Sequence, residues 1–183
     1  MRIVVGITGA SGAMFGVEFL RRCPGEKFLI LTKWGRCVLK EETGLTEPHL
    51  AEHAKRSLSD DDLSAPFSSG STPFDALVIL PCSVSTMAKI ACGLADTLLT
   101  RTAAVALKER RTLILCLRET PLSTIALEQA YKLSQAGAII MPLSPQFYHR
   151  PQSVEEMAGL FADRVLSLLG VEGALAWKPE ALE

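Results

Sequence analysis

Hydrophobic and polar positions along this chain fall into blocks whose period switches repeatedly. Short continuous apolar runs, the mark of strands buried on both faces, are followed by stretches where apolar side chains recur every three or four residues. Arg2-Ile3-Val4-Val5-Gly6-Ile7-Thr8 is the first run, and Gly9-Ala10-Ser11-Gly12 turns the chain into a helix predicted over 13–22. Phe28 to Thr32 is a second strand, followed by a helix from Lys33 to Glu42 that stops at Gly44. Phe74 to Leu80 is a third, closed by Pro81-Cys82-Ser83; helices follow over 85–93 and 98–109, the latter with Thr100 as a possible cap. Thr112 to Leu117 is a fourth strand, then a helix over 123–136 ends at Gly137, a suitable C′ residue. Ala138 to Met141 is a fifth. A last helix opens with Pro151 and the pair Ser153 and Glu156, spaced as a capping box, and runs to Leu169. Residues 46–72 are polar and irregular, and the run Asp60-Asp61-Asp62 within them reads as solvated surface or a helix start.

Strands alternating with helices imply right-handed crossovers and a parallel sheet with helices on both faces. The expected fold is therefore α/β, a single Rossmann-like doubly wound domain over 1–183. A short tail from about 171 carries Trp177.

Composition narrows the function. With 19 basic against 20 acidic side chains the net charge is −1, so no cationic excess exists to follow a nucleic-acid backbone. No apolar run approaches the length of a membrane span, and the N-terminus lacks a signal-peptide core. Five cysteines without a CxxC pair point to a reducing, cytoplasmic compartment. His49 and His53 have helical spacing but no third ligand nearby, so they read as a solvated helix face and no metal is expected.

In open parallel sheets ligands bind beyond the carboxyl ends of the strands. Those ends carry Thr8 to Gly12, Thr32, Pro81 to Thr86, Arg118 to Pro121 and, after the fifth strand, Phe147-Tyr148-His149-Arg150. Hydroxyls, small residues and helix-starting backbone suit a phosphate. The turn is not the dinucleotide fingerprint, and no acidic residue follows the second strand to hold a ribose, so a mononucleotide is favoured over NAD. Glycine turns also arise for steric reasons alone. Arg101 and Lys108, seven apart, share a helix face; Arg118 and Glu119 form a charged pair at the mouth of a buried strand.

Several segments resemble the UbiX family of flavin prenyltransferases: Gly6 to Ala13, Gly70-Ser71-Thr72-Pro73-Phe74-Asp75, Pro81-Cys82-Ser83, Thr100 to Ala104 leading into Leu107-Lys108-Glu109-Arg110-Arg111, Leu117 to Ser123, and Gln146 to Ser153. They cover nearly the whole chain in the family's order. The resemblance implies an FMN site at Gly9, Ala10, Ser11, Thr32, Ser83, Val84, Ser85, Thr86 and Arg118. It implies a dimethylallyl phosphate site at Arg101, Lys108, Tyr148 and Arg164, with Glu119 as acidic partner in catalysis. Reduced FMN would be the substrate and prenylated FMN the product, passed to a UbiD-type decarboxylase. The assembly would be a homododecamer with active sites between subunits. Thr32 stands where the family often has Ser. Rival readings are an FMN-dependent cysteine-type decarboxylase, a non-catalytic flavin carrier, and direct decarboxylation of aromatic acids. The first expects a PASANT-like motif where Pro81 to Thr86 stand, and a histidine base, yet no histidine lies between His53 and His149.

Overall fold

A computed structural model describes residues 1–171. Trp177 and the rest of the tail lie outside the described residues. The strands are β1 (Arg2–Ile7), β2 (Glu26–Leu31), β3 (Arg56–Ser59), β4 (Ala76–Cys82), β5 (Thr112–Leu117) and β6 (Ile139–Pro142). The helices are α1 (Ala13–Arg22), α2 (Lys33–Thr43), α3 (Glu47–Ala51), α4 (Val84–Ala91), α5 (Leu98–Lys108), α6 (Thr124–Gln135) and α7 (Val154–Leu168), with a 3-10 turn at Pro66–Ser68. All strand pairs are parallel, in the order β3-β2-β1-β4-β5-β6. The doubly wound parallel sheet expected from the sequence is borne out. The order reverses between β1 and β4, which opens a crevice at their carboxyl ends.

The apolar runs form the centre of this sheet: β4 is buried at every position and β1 from Ile3 onward. Side chains alternate between two cores. On one face, Val4, Leu77, Ile79, Leu113 and Leu115 pack against α4, α5, α6 and the 3-10 turn. On the other, Ile3, Val5, Val78 and Ile114 meet α1 and α7, where Phe15 and Phe161 stand edge to face with centroids 5.5 Å apart. Helices α5 and α7 therefore lie on opposite faces of one subunit.

The sheet has a sixth strand where the sequence suggested irregular chain. Segment 56–59 contains one buried apolar side chain, Leu58, opposite Ile30 of β2, so no apolar run announces it. Its polar neighbours suit an edge strand, paired on one side only. Asp60, read as solvated, is buried instead. Its carbonyl accepts from Leu98 N–H at 2.7 Å and its Oδ1 from Leu99 N–H at 2.9 Å, so the end of β3 closes the start of α5. The cap of α5 is Thr97; Thr100 is the reciprocal partner of its capping box, not the cap. Helix α7 starts after Ser153, whose hydroxyl accepts from Glu156 N–H, and Pro151 stays outside it. The Glu156 carboxylate accepts from Gln152 N–H rather than from Ser153, so the box is only half made. His49 completes the capping box of α3, accepting from Thr46 N–H through Nδ1 at 3.1 Å.

Candidate functional site

The crevice at the reversal point is a cleft of about 350 Å³, within the range of small-molecule sites. Gly9 after β1, Thr32-Lys33-Trp34 after β2, Asp60 and Asp61 after β3, and Ser83, Ser85 and Thr86 after β4 line it, joined by Lys89 and the start of α5. Three helices begin on its walls, and Asp60 already closes the start of α5. Thr32 caps α2, accepting from Gly35 N–H at 3.0 Å, and Ser83 caps α4, accepting from Thr86 N–H at 3.2 Å. Each cap satisfies one orphan donor and leaves other first-turn N–H groups without an acceptor in their own helix. Two such ends turned on one space favour a phosphate monoester. Thr8, buried below, donates to Pro81 carbonyl and accepts from Ser83 N–H, both at 2.8 Å, and so locks β1 to β4.

The glycine turn behaves otherwise. Gly12 caps α1 at φ 100°, a conformation that only glycine adopts cheaply. The N-terminus of α1 is filled from within the chain: the Glu42 carboxylate accepts from Gly12 N–H at 2.9 Å and Ala13 N–H at 2.8 Å. Ser11 hydroxyl donates to it as well, and Arg118 lies within electrostatic reach. Partial burial pushes the Glu42 carboxyl up, but these hydrogen bonds and the Arg118 charge outweigh it and hold the group below its ordinary value. The start of α1 is therefore occupied from within the chain, whereas those of α2 and α4 face the cleft. Nothing in the sequence marked Glu42, which sits near the end of a polar helix and is drawn in by tertiary packing.

A carboxyl held low in the folded protein stabilises the fold fully above its unfolded value, 4.5, and that contribution disappears as pH falls through the lower folded value. Between about pH 5 and 3 the wild type should therefore lose more stability than Glu42→Gln does, read as the difference between their urea midpoints at each pH. Parallel loss in both proteins would deny Glu42 this role.

Of the expected FMN residues, Gly9, Thr32, Ser83, Ser85 and Thr86 line one cleft. Ala10 and Val84 flank it in sequence, Ser11 bonds to Glu42, and the Arg118 charge acts on Glu42 from a distance. Arg118 is half-buried, with its N–H donating to Cys82 carbonyl at 3.0 Å; Glu119 is exposed and accepts from Thr120 N–H at 3.0 Å. Trp34, Lys89, Asp60 and Asp61 join the cleft without having been foreseen; each looked like ordinary helix or loop surface.

The cationic residues divide between faces. Arg101 lies on α5 with Nε donating to Ser68 carbonyl at 2.9 Å, and Lys108 ends the same helix in an ion pair with Glu109. Arg164 lies on α7, across the sheet, bonded to Ser167 Oγ at 3.3 Å. Tyr148 sits in the loop after β6, its ring 4.4 Å from that of His149. One subunit does not bring Arg101 and Arg164 together.

The flavoprotein family pattern matches residues 1–163. The flavin prenyltransferase UbiX of Thermoplasma acidophilum is 48% identical over 172 residues, covering 93% of this chain and 96% of that protein. The chain belongs to the UbiX flavin prenyltransferase family. Two solved structures of the family agree with it throughout. AnUbiX (PadA1), in complex with FMN and dimethylallyl pyrophosphate, has a TM-score of 0.91 at 39% identity, covering 97% of this chain and 98% of that one. A dodecameric FMN-dependent UbiX-like decarboxylase from Escherichia coli O157:H7 has a TM-score of 0.92 at 39% identity, covering 97% and 100%. The flavoprotein fold and the prenyltransferase reading of the motifs are borne out. Among the described residues no helix is long and apolar enough to cross a membrane, and no group of His, Cys, Asp and Glu is arranged to hold a metal ion.

Proposed function

We propose that this protein joins the dimethylallyl group of dimethylallyl phosphate to N5 and C6 of reduced FMN. The carbon–oxygen bond of the ester breaks and two carbon bonds to the flavin form. N5 and C6 each lose a proton; one ends on the former alkene carbon and the other leaves with inorganic phosphate. The observation that carries this reading is the cleft at the β1–β4 reversal, where the starts of α2 and α4 and six hydroxyl side chains converge.

In this reading the FMN phosphate lies between α2 and α4, held by Thr32, Ser83, Ser85 and Thr86 and by first-turn N–H groups. Gly9, Ala10 and Ser11 and the backbone at Val84 line the flavin, and Arg118 beside Glu42 supplies fixed positive charge. The mouth of β5 presents Glu119 as the proton-transfer group. Arg101, Lys108 and Arg164 stabilise charge on the departing phosphate, Arg through a bidentate fork, and Tyr148 offers an aromatic face to the allylic cation. Since α5 and α7 occupy opposite faces, a second copy of the chain completes this pocket. That agrees with the dodecameric relative and makes this protein a homododecamer with its sites at subunit contacts. We place the enzyme in the cytoplasm, where all five thiols stay reduced, with a UbiD-type decarboxylase receiving the prenylated FMN.

The phosphate assignment is open to direct titration. Thr86→Val keeps the shape of α4 but deletes a hydroxyl on the cleft wall. FMN affinity should fall about tenfold, one charge-assisted hydrogen bond's worth. Riboflavin, which lacks the phosphate, should bind wild type and variant alike. An equal loss for both flavins would place the phosphate elsewhere.

A further inference from the structure

Two segments that resemble the family, Gly70 to Asp75 and Leu107 to Arg111, have no part in the chemistry above beyond Lys108. The structure joins them. The chain from Phe67 to Thr72 lies along α5 as a strap, fastened by side chains of that helix and its C-terminal end. Arg101 Nε donates to Ser68 carbonyl at 2.9 Å, and Thr102 Oγ1, whose proton goes to Leu98 carbonyl at 2.7 Å, lies 3.5 Å from Phe67 carbonyl. The Arg111 guanidinium donates from Nη1 to Thr72 carbonyl at 2.8 Å and from Nη2 to Gly70 carbonyl at 2.7 Å. Its plane also covers the Phe74 ring, 4.4 Å from the centroid. Arg111 thus holds the strap at two points and is itself held against the core.

The strap touches both cations assigned to the allylic phosphate. Arg101 is fixed by its bond to Ser68. Lys108 is packed so closely that a Cβ built on Gly70 would collide with its ammonium and with the Glu109 carboxylate. Gly70 does not have a positive φ, and the atoms a Cβ would meet are the ends of two flexible side chains, so alanine here would push the Lys108 ammonium and the Glu109 carboxylate aside without straining the backbone.

We propose that Arg111 and Gly70 are positioning residues for the allylic phosphate pocket. The strap they hold sets where the Arg101 guanidinium and the Lys108 ammonium stand. This rests on the phosphate role of Lys108 argued above. The fork of Arg111 matters because lysine cannot bridge two carbonyls in a plane and cover a ring at once.

The experiment compares Arg111→Lys, Gly70→Ala and Lys108→Ala with the wild type. It measures the KM for dimethylallyl phosphate, kcat, the Kd for FMN and the midpoint of thermal unfolding. Displacing a binding charge by an ångström costs about tenfold or more. Both strap variants should therefore raise KM for the ester about tenfold while the FMN Kd stays within twofold of wild type. If KM stays within about twofold in a variant that binds FMN normally, or if FMN affinity falls in step with KM, the positioning role is refuted. Gly70→Ala serves if Arg111→Lys fails to fold, since alanine is compatible with that backbone. A normal KM in Lys108→Ala would overturn the phosphate pocket itself and the strap's role with it; silence of the strap variants beside a defective Lys108→Ala overturns the strap alone.

Discussion

Glu119→Gln is expected to slow prenyl transfer about 10²–10⁴-fold, the usual worth of a positioned proton-transfer group, with FMN still bound. The reaction has to take protons from N5 and C6 and deliver one to carbon, a task that a carboxylate at the active rim is chemically suited to by changing protonation during turnover. Glu119 follows β5 directly, is exposed at that rim, and has one oxygen held by Thr120 N–H. Glutamine keeps the size and the acceptor but cannot carry the proton. FMN affinity should hardly change, because the phosphate cleft is formed by other strand ends. Single-turnover mixing of the reduced complex with dimethylallyl phosphate, followed by the flavin absorbance, separates binding from chemistry. A variant that turns over at the wild-type rate would remove Glu119 from the mechanism.

Arg101→Ala and Arg164→Ala should each lower kcat/KM about 10²–10³-fold, as loss of a preorganised charge at a leaving phosphate does. Co-expressed with different tags and purified as mixed assemblies, the two should recover activity that neither has alone. The reason is geometric: α5 and α7 lie on opposite faces of the sheet, so the proposed pocket would take its two arginines from different copies. In a random equal mixture about a quarter of the pockets contain both arginines, and the activity should approach that fraction of wild type. Mixed assemblies no more active than the separate variants would contradict a pocket that draws its two arginines from different copies.

How much of this could be read from the chain alone follows from what each residue depends on. The central strands were legible because burial on both faces demands continuous apolar runs, as in Val4-Val5 and Leu77 to Leu80. Strand β3 was not, since an edge strand with one buried leucine carries no such signal. Thr32 and Ser83 could be picked out because a hydroxyl between a strand and a helix is a local capping arrangement. Glu42 and Asp60 could not. Their carboxylates reach the starts of helices 30 and 39 residues away in sequence, and only the folded arrangement brings them there. The glycine turn suggested a phosphate on α1, but the structure gives that helix start to Glu42, while the starts of α2 and α4 face the cleft. Arg101, Lys108 and Arg164 were identified through family resemblance, and their division between two faces appears only in three dimensions.

The most direct test is to incubate the purified protein without oxygen with reduced FMN and dimethylallyl phosphate, and to weigh the released flavin by mass spectrometry. A flavin heavier by one C5H8 unit is expected, with one inorganic phosphate released for each flavin converted. Unmodified FMN after incubation with the monophosphate and, separately, with the pyrophosphate would contradict it.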